Sequence, residues 1–242
     1  MGKNQTKIME KEMKTNENAP RFTDISLRTA AIVAGVGLLL MAILAPIAYL
    51  NTFQSLVKFD DAALTAQNIL NSIGAFRTCV ILLFTVAILD IVVAWALYIL
   101  LVPTNRKLSA LAAWLRVIYA GIFIFAISKL YLALQVITAD GTQAMSFLKA
   151  FQSIWDMALI LFGFHLLVLG YLAFKSGYIP KWLGVFLVLA SVGYIVDGFG
   201  KSFSPNYNLN IAQFTFIGEV LLIFWLLLRG FKGFDQALEA RK

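Results

Sequence analysis

The chain has 242 residues, of which 60% are hydrophobic and 14% charged, against about 25% charged in an ordinary soluble domain. That balance excludes a water-soluble globule. The formal net charge of +7 would suit a nucleic-acid surface, but the distribution of the charges argues against one, and the single cysteine, Cys79, excludes an internal disulfide and any cysteine-based metal motif.

Residues 1–27 read as a polar cytoplasmic tail of mixed charge. It lacks the short basic start and small-residue cleavage site of a secretory signal, so the first apolar run reads as a retained anchor. Six runs follow within a transmembrane domain at 28–232, over roughly 30–50, 78–102, 108–136, 154–174, 182–198 and 211–228. Each is long enough to cross a bilayer core as a helix, and the dyad alternation of a membrane barrel is absent from the pattern. The fold class is therefore all-α, a polytopic bundle of six transmembrane helices, closed by a short cytoplasmic tail at 233–242.

Lysine and arginine orient the spans. With the N-terminus in the cytoplasm, the inner segments hold Lys3, Lys7, Lys11, Lys14, Arg21, Arg28, Arg106, Lys107, Lys175, Lys181, Arg229, Lys232, Arg241 and Lys242, while the outer side holds Lys58, Arg77, Lys149 and Lys201. Both termini are then cytoplasmic, and the basic balance is a topology signal. The short inner turns around PTNRK and KSGYIPK make their flanking helices antiparallel neighbours. Pro180 suits a helix start, where its missing N–H costs little. Pro46 is placed to bend the first span.

Between the first two spans, Asp60 or Asp61 is positioned to cap a short helix with Ala63, Leu64, Ile69, Leu70 and Ile73 as its apolar face. Such a helix lies on the outer leaflet or covers a cavity. The segment GFGKSFSPNYNLN reads as an interfacial loop. Trp95, Tyr98, Tyr178, Trp182 and Trp225 read as interface anchors or packing residues.

Two stretches, ALYILLVPTNRKLSALAAWLRVIYA at 96–120 and FGFHLLVLGYLAFKSGYIPKWLGVFLVLASVGYIVD at 162–197, resemble the prokaryotic membrane-protein family designated domain of unknown function 4386. The likeness lies in the LY…L…P.NR.L turn, the FG.HLL..GYL helix and the SGYIP..LG turn, and runs from about Arg21 onward. It implies a multi-pass bacterial-type membrane protein in the cell membrane. It implies no activity and carries over no catalytic residue.

The charges inside the spans are the informative residues. An ionised side chain near the bilayer centre costs about 2.5–3.5 kcal/mol on insertion scales, yet this chain keeps Arg77, Asp90, Arg116, Lys129, Asp156, Asp197 and Glu219 there, with its one histidine, His165. At about 1.5 Å per residue, Asp90 lies about 18 Å below the outer end of its span, His165 about 17 Å below, and Arg116 about 12 Å above the inner end. In a core about 30 Å thick these three share one layer. Arg77, Lys129, Asp156, Asp197 and the slightly deeper Glu219 form a second, outer layer. Asp156 and His165, nine residues apart, point to opposite faces of one helix at about 100° per residue. Small residues run along the same stripes: Ala87 and Ala94 beside Asp90, Ser109, Ala112 and Ala120 beside Arg116, Gly163 and Gly170 below Asp156, Ala190 and Gly193 before Asp197. Such stripes let backbones approach closely.

Each charge carries a structural and a functional reading. Asp90 and Arg116 brace two helices or line a path for a solute or proton. His165 is a hydrogen-bonded packing residue or a proton relay. A lone histidine with scattered carboxylates gives no metal site, and no phosphate loop, dinucleotide fingerprint or Ser-His-Asp spacing is present, so no cofactor is expected. The sequence is best read as a membrane protein that binds or moves a small polar, ionic or lipid-like solute, with Asp90, Arg116 and His165 at the inner part of the site and Asp156, Asp197, Glu219, Arg77 and Lys129 at its outer mouth. An intramembrane enzyme using a carboxylate or His165, and a structural or regulatory partner, are the alternatives. The expected partners are membrane lipids and the solute, without nucleic acid; self-association is left open.

Overall fold

The computed structural model describes residues 25–204 and 206–233. The polar tail, apart from 25–27, and most of the C-terminal tail lie outside the described residues. Six helices are long and apolar enough to cross a membrane: α1 (Leu27–Leu56), α3 (Ile73–Leu101), α4 (Arg106–Val136), α5 (Gly141–Lys175), α6 (Lys181–Phe203) and α7 (Ala212–Lys232). A shorter helix, α2 (Ala62–Asn71), joins α1 to α3.

The helix ends follow capping chemistry. Ser26, Asp61, Asn105 and Asp140 each accept a hydrogen bond from the backbone N–H three residues on, at 2.8–3.1 Å. Pro180 occupies the position before α6. Pro46 disturbs α1 as its chemistry requires, because the ring crowds the carbonyl of the preceding turn. The backbone widens directly after it into a π-helix over Ile47–Phe53, within which the Thr52 hydroxyl donates to the Ile47 carbonyl at 3.0 Å.

Two elements differ from the sequence expectation. α5 begins at Gly141 instead of near 154, because Ala144, Met145, Leu148 and Phe151 bury a stripe at helical spacing. At about 1.5 Å per residue it is about 52 Å long, well beyond a bilayer core. α2 is rolled relative to the face predicted for it. Ile69 of that face is buried as expected, but Thr65 turns inward beside it while Leu64 and Leu70 are exposed. The Thr65 hydroxyl accepts from the Lys58 N–H at 2.8 Å and donates to its carbonyl at 3.0 Å, and that pair of bonds sets the roll.

The spans form a closed ring in chain order. α1 packs on α3, α3 on α4, α4 on α5, α5 on α6, and α6 on α7, which returns to α1. Arg28 Nε donates to the Gly230 carbonyl at 2.9 Å, so both ends of the described chain lie on one face of the ring. That face also carries the turns at 102–105 and 176–180. In the second turn, Gly177 adopts φ 77°, a left-handed conformation open to glycine. This turns Tyr178 and Ile179 inward, and the buried Tyr178 hydroxyl donates to the Leu100 carbonyl at 2.5 Å. Trp225 is buried too, while Trp95 and Trp182 are exposed.

The tightest seam joins α5 and α6. A Cβ at Gly170 would lie 2.9 Å from the Gly184 carbonyl oxygen, and one at Gly184 2.8 Å from the Gly170 oxygen. Gly163 and Gly198 make similar approaches, to the carbonyls of Ser191 and Asp156. Only hydrogen fits at these crossings, and dispersion between the two backbones holds them. This close seam makes one side of the ring.

Candidate functional site: the central cavity

Inside the ring lies a cavity of about 340 Å³ to which all six spans contribute. α3 supplies Asp90, α4 supplies Arg116, Tyr119 and Phe123, α5 supplies Trp155 and Phe162, α6 supplies Tyr194, and α7 supplies Phe216 and Glu219. α1 adds an apolar strip from Leu38 to Pro46.

Arg116 is the centre of the polar part. Its side chain is fully buried, and the stripe of Ser109, Ala112, Arg116 and Ala120 faces inward. Nη2 lies 2.7 Å from Asp90 Oδ1. That contact occupies Oδ1 and leaves Oδ2 without a hydrogen-bond partner. Nη1 lies 3.3 Å from His165 Nε2, and His165 Nδ1 lies 2.8 Å from the Ala112 carbonyl. A carbonyl only accepts, so Nδ1 carries the hydrogen and Nε2 accepts from Arg116. This arrangement requires a neutral imidazole; a second ring hydrogen would face the guanidinium. The guanidinium also stacks on Phe162, 5.3 Å from the ring centroid, and its Nη2 touches Met41 Sδ at 3.9 Å.

Three buried polar atoms in the cavity are left without a partner: Oδ2 of Asp90, Nε of Arg116 and Oε1 of Glu219. The deeper wall is aromatic. Trp155 Nε1 donates to the Tyr119 hydroxyl at 3.3 Å, Trp155 stacks on Phe123, and Tyr119 packs against Phe162. Tyr194 lies beside Glu219, within side-chain hydrogen-bonding reach. The three exposed lining residues, Ala42, Pro46 and Phe216, belong to α1 and α7. These helices meet closely near their basic ends, where a Cβ at Gly35 would crowd Leu227 and one at Gly230 would crowd Ile32. Further along they part beside the π-helix, and the cavity reaches the exterior there.

Asp90, Arg116 and His165 thus meet in one layer, and Glu219, placed by depth counting at the outer mouth, joins them in the same cavity. The other four candidates lie elsewhere. Asp197 is buried, but its Oδ1 accepts from the Tyr207 hydroxyl at 2.5 Å and the Ile211 N–H at 3.0 Å, and its Oδ2 accepts from the Ala212 N–H at 2.8 Å. It caps the N-terminus of α7 from the neighbouring helix, and the loop before α7 is tied to it. Asp156 points away from His165, as their spacing requires, and its Oδ2 accepts from Gln152, whose Oε1 accepts from the Tyr49 hydroxyl. Lys129 lies over the Phe125 ring of its own helix at 4.3 Å, and Arg77 is exposed at the end of α3. The outer network of two cations and three carboxylates does not form: among the described residues, the one ion pair within 4.0 Å is Asp90–Arg116. Sequence reasoning missed Tyr119, Trp155, Phe162 and Tyr194. Their only available signal was position, at helical spacing from Arg116 and His165.

No cluster of three or more metal-ligating side chains occurs among the described residues. What the arrangement defines is a six-pass helical membrane protein with buried charge around a central cavity. The family model described as domain of unknown function (DUF4386) matches residues 33–230, and the chain belongs to that family. It is 44% identical over 150 residues to an uncharacterized protein of Archaeoglobus fulgidus, an alignment covering 62% of this chain and 82% of that one. No solved structure matches it.

Proposed function

We propose that the protein binds a small amphipathic solute in the central cavity and passes it through the cell membrane, with both termini in the cytoplasm as the lysine and arginine distribution favours. The observation that carries this reading is the set of unpartnered buried polar atoms of Asp90, Arg116 and Glu219 inside a cavity ringed by every span. A buried polar atom without a partner costs about 1–3 kcal/mol. A packed scaffold gains nothing from keeping three of them, whereas a binding site uses them when the solute arrives. The volume of about 340 Å³ falls at the lower end of small-ligand pockets, about 300–1,000 Å³. The opening between α1 and α7 suits a solute that approaches through the bilayer.

Accessibility tests it. On a Cys79→Ala background, Ala45→Cys on the cavity wall is expected to react with neutral 2-hydroxyethyl methanethiosulfonate. Ala190→Cys, fully buried on α6, is expected to stay unreactive. Equal inertness of both thiols would mean a sealed interior and would leave Asp90 and Arg116 as a structural brace.

A further inference from the structure

The chemistry of the unpartnered atoms specifies the solute further. Resting on the reading of the cavity as a binding site, we infer that its ligand is a small organic cation, an ammonium bearing N–H donors on a compact apolar body.

Hydrogen-bonding capacity comes first. The free positions are two oxygens, Asp90 Oδ2 and Glu219 Oε1, against one donor, Arg116 Nε. An ammonium brings donors and no acceptor, so it complements this set. A carboxylate or phosphate would present further acceptors to oxygens that cannot donate when ionised.

Charge points the same way. The titratable groups facing the polar core are Asp90 from α3, Arg116 and Tyr119 from α4, His165 from α5, Tyr194 from α6 and Glu219 from α7. His165, accepting from Arg116 at Nε2 and donating to the Ala112 carbonyl at Nδ1, is a neutral imidazole, and Arg116 is the cation among the lining residues. Two carboxylates around one guanidinium leave one negative charge uncompensated when both are ionised. In a low-dielectric interior such an excess attracts a cation strongly.

The walls exclude a bare metal ion. A hard metal cation needs a cage of about six to eight oxygens, and this cavity is lined mostly by aliphatic and aromatic side chains. Aromatic faces such as Trp155 and Tyr194 favour an organic cation by cation–π attraction and bury its apolar body. Glu219 stands on α7, the helix that also flanks the opening, so an entering ammonium meets it on the way to Asp90.

The full-length protein in detergent allows the test, by titration calorimetry at pH 7. The probes are 2-phenylethylammonium, its neutral isostere 2-phenylethanol, and the anion 3-phenylpropionate. The ammonium is expected to bind at least about tenfold more tightly than the alcohol, with the anion weakest. Glu219→Gln is expected to remove most of that preference while leaving the alcohol unchanged. The comparison of probes on the unaltered protein stands even where the variant folds poorly. Alcohol or anion binding as tightly as the ammonium overturns the cation inference and leaves the cavity reading in place. No binding of the ammonium also overturns it, and the reactivity of Ala45→Cys then decides whether the cavity reading falls with it.

Discussion

Two aspartates are buried in apolar helices of this protein, and their surroundings differ completely. Asp197 accepts three hydrogen bonds and closes the N-terminus of α7. Asp90 pairs one oxygen with an arginine at 2.7 Å and leaves the other, Oδ2, without a donor. Burial alone does not separate a structural carboxylate from a functional one. Satisfaction does: Asp197 has its hydrogen bonds supplied by the fold, whereas Asp90 keeps capacity that the fold does not use.

The largest expected effect comes from breaking the Asp90 pair. Asp90→Leu leaves Arg116 as an uncompensated buried charge and is expected to cost about 3–5 kcal/mol, read as a lowered thermal midpoint in detergent. Asp90→Leu with Arg116→Leu is expected to recover most of that stability and to abolish ammonium binding. Recovery of stability with binding intact would make the pair a brace only.

At Asp197 the effect is smaller and confined to structure. Asp197→Ala strands the Ile211 and Ala212 N–H groups and is expected to cost about 1–3 kcal/mol. Asp197→Asn keeps an acceptor oxygen and is expected to cost less than the alanine. Ammonium affinity is expected to be unchanged in the asparagine variant, and a tenfold loss would erase the contrast between the two aspartates.

A pH effect sharpens the same region. Burial first, then the hydrogen bond to Asp197 and the charge of that carboxylate, push the Tyr207 phenol up to about 12, against about 10 in an unfolded chain. The folded state holds this proton more tightly, so its contribution is complete below pH 10 and is lost as the pH climbs through about 12. Thermal scans over that window are expected to lose a component that Tyr207→Phe already lacks.

The smallest stability change is expected at Glu219. Glu219→Gln removes no ion pair, so its thermal midpoint is expected to move by less than the equivalent of about 1 kcal/mol, while its ligand preference changes. A large loss of stability would place Glu219 with Asp197 among the structural carboxylates.

Much of this was legible in the chain. Six spans follow from apolar length, and the shared level of Asp90, Arg116 and His165 follows from the fixed rise of a helix counted from each span end. The fixed rotation per residue likewise separated Asp156 from His165. Glu219 escaped the same counting because depth gives no information on which way a helix leans or turns. The roll of α2 escaped because the Thr65 bonds to Lys58 outweighed its apolar pattern.

Sequence by itself determined the membrane class, the number of crossings and the common level of Asp90, Arg116 and His165, because length and rise per residue are properties of a single helix. Tertiary structure alone decided which charges meet, which carboxylate is satisfied and where the ring opens. Those outcomes depend on how helices rotate and tilt against one another, and that is set by close contacts such as Gly170 on Gly184 between residues far apart in the chain.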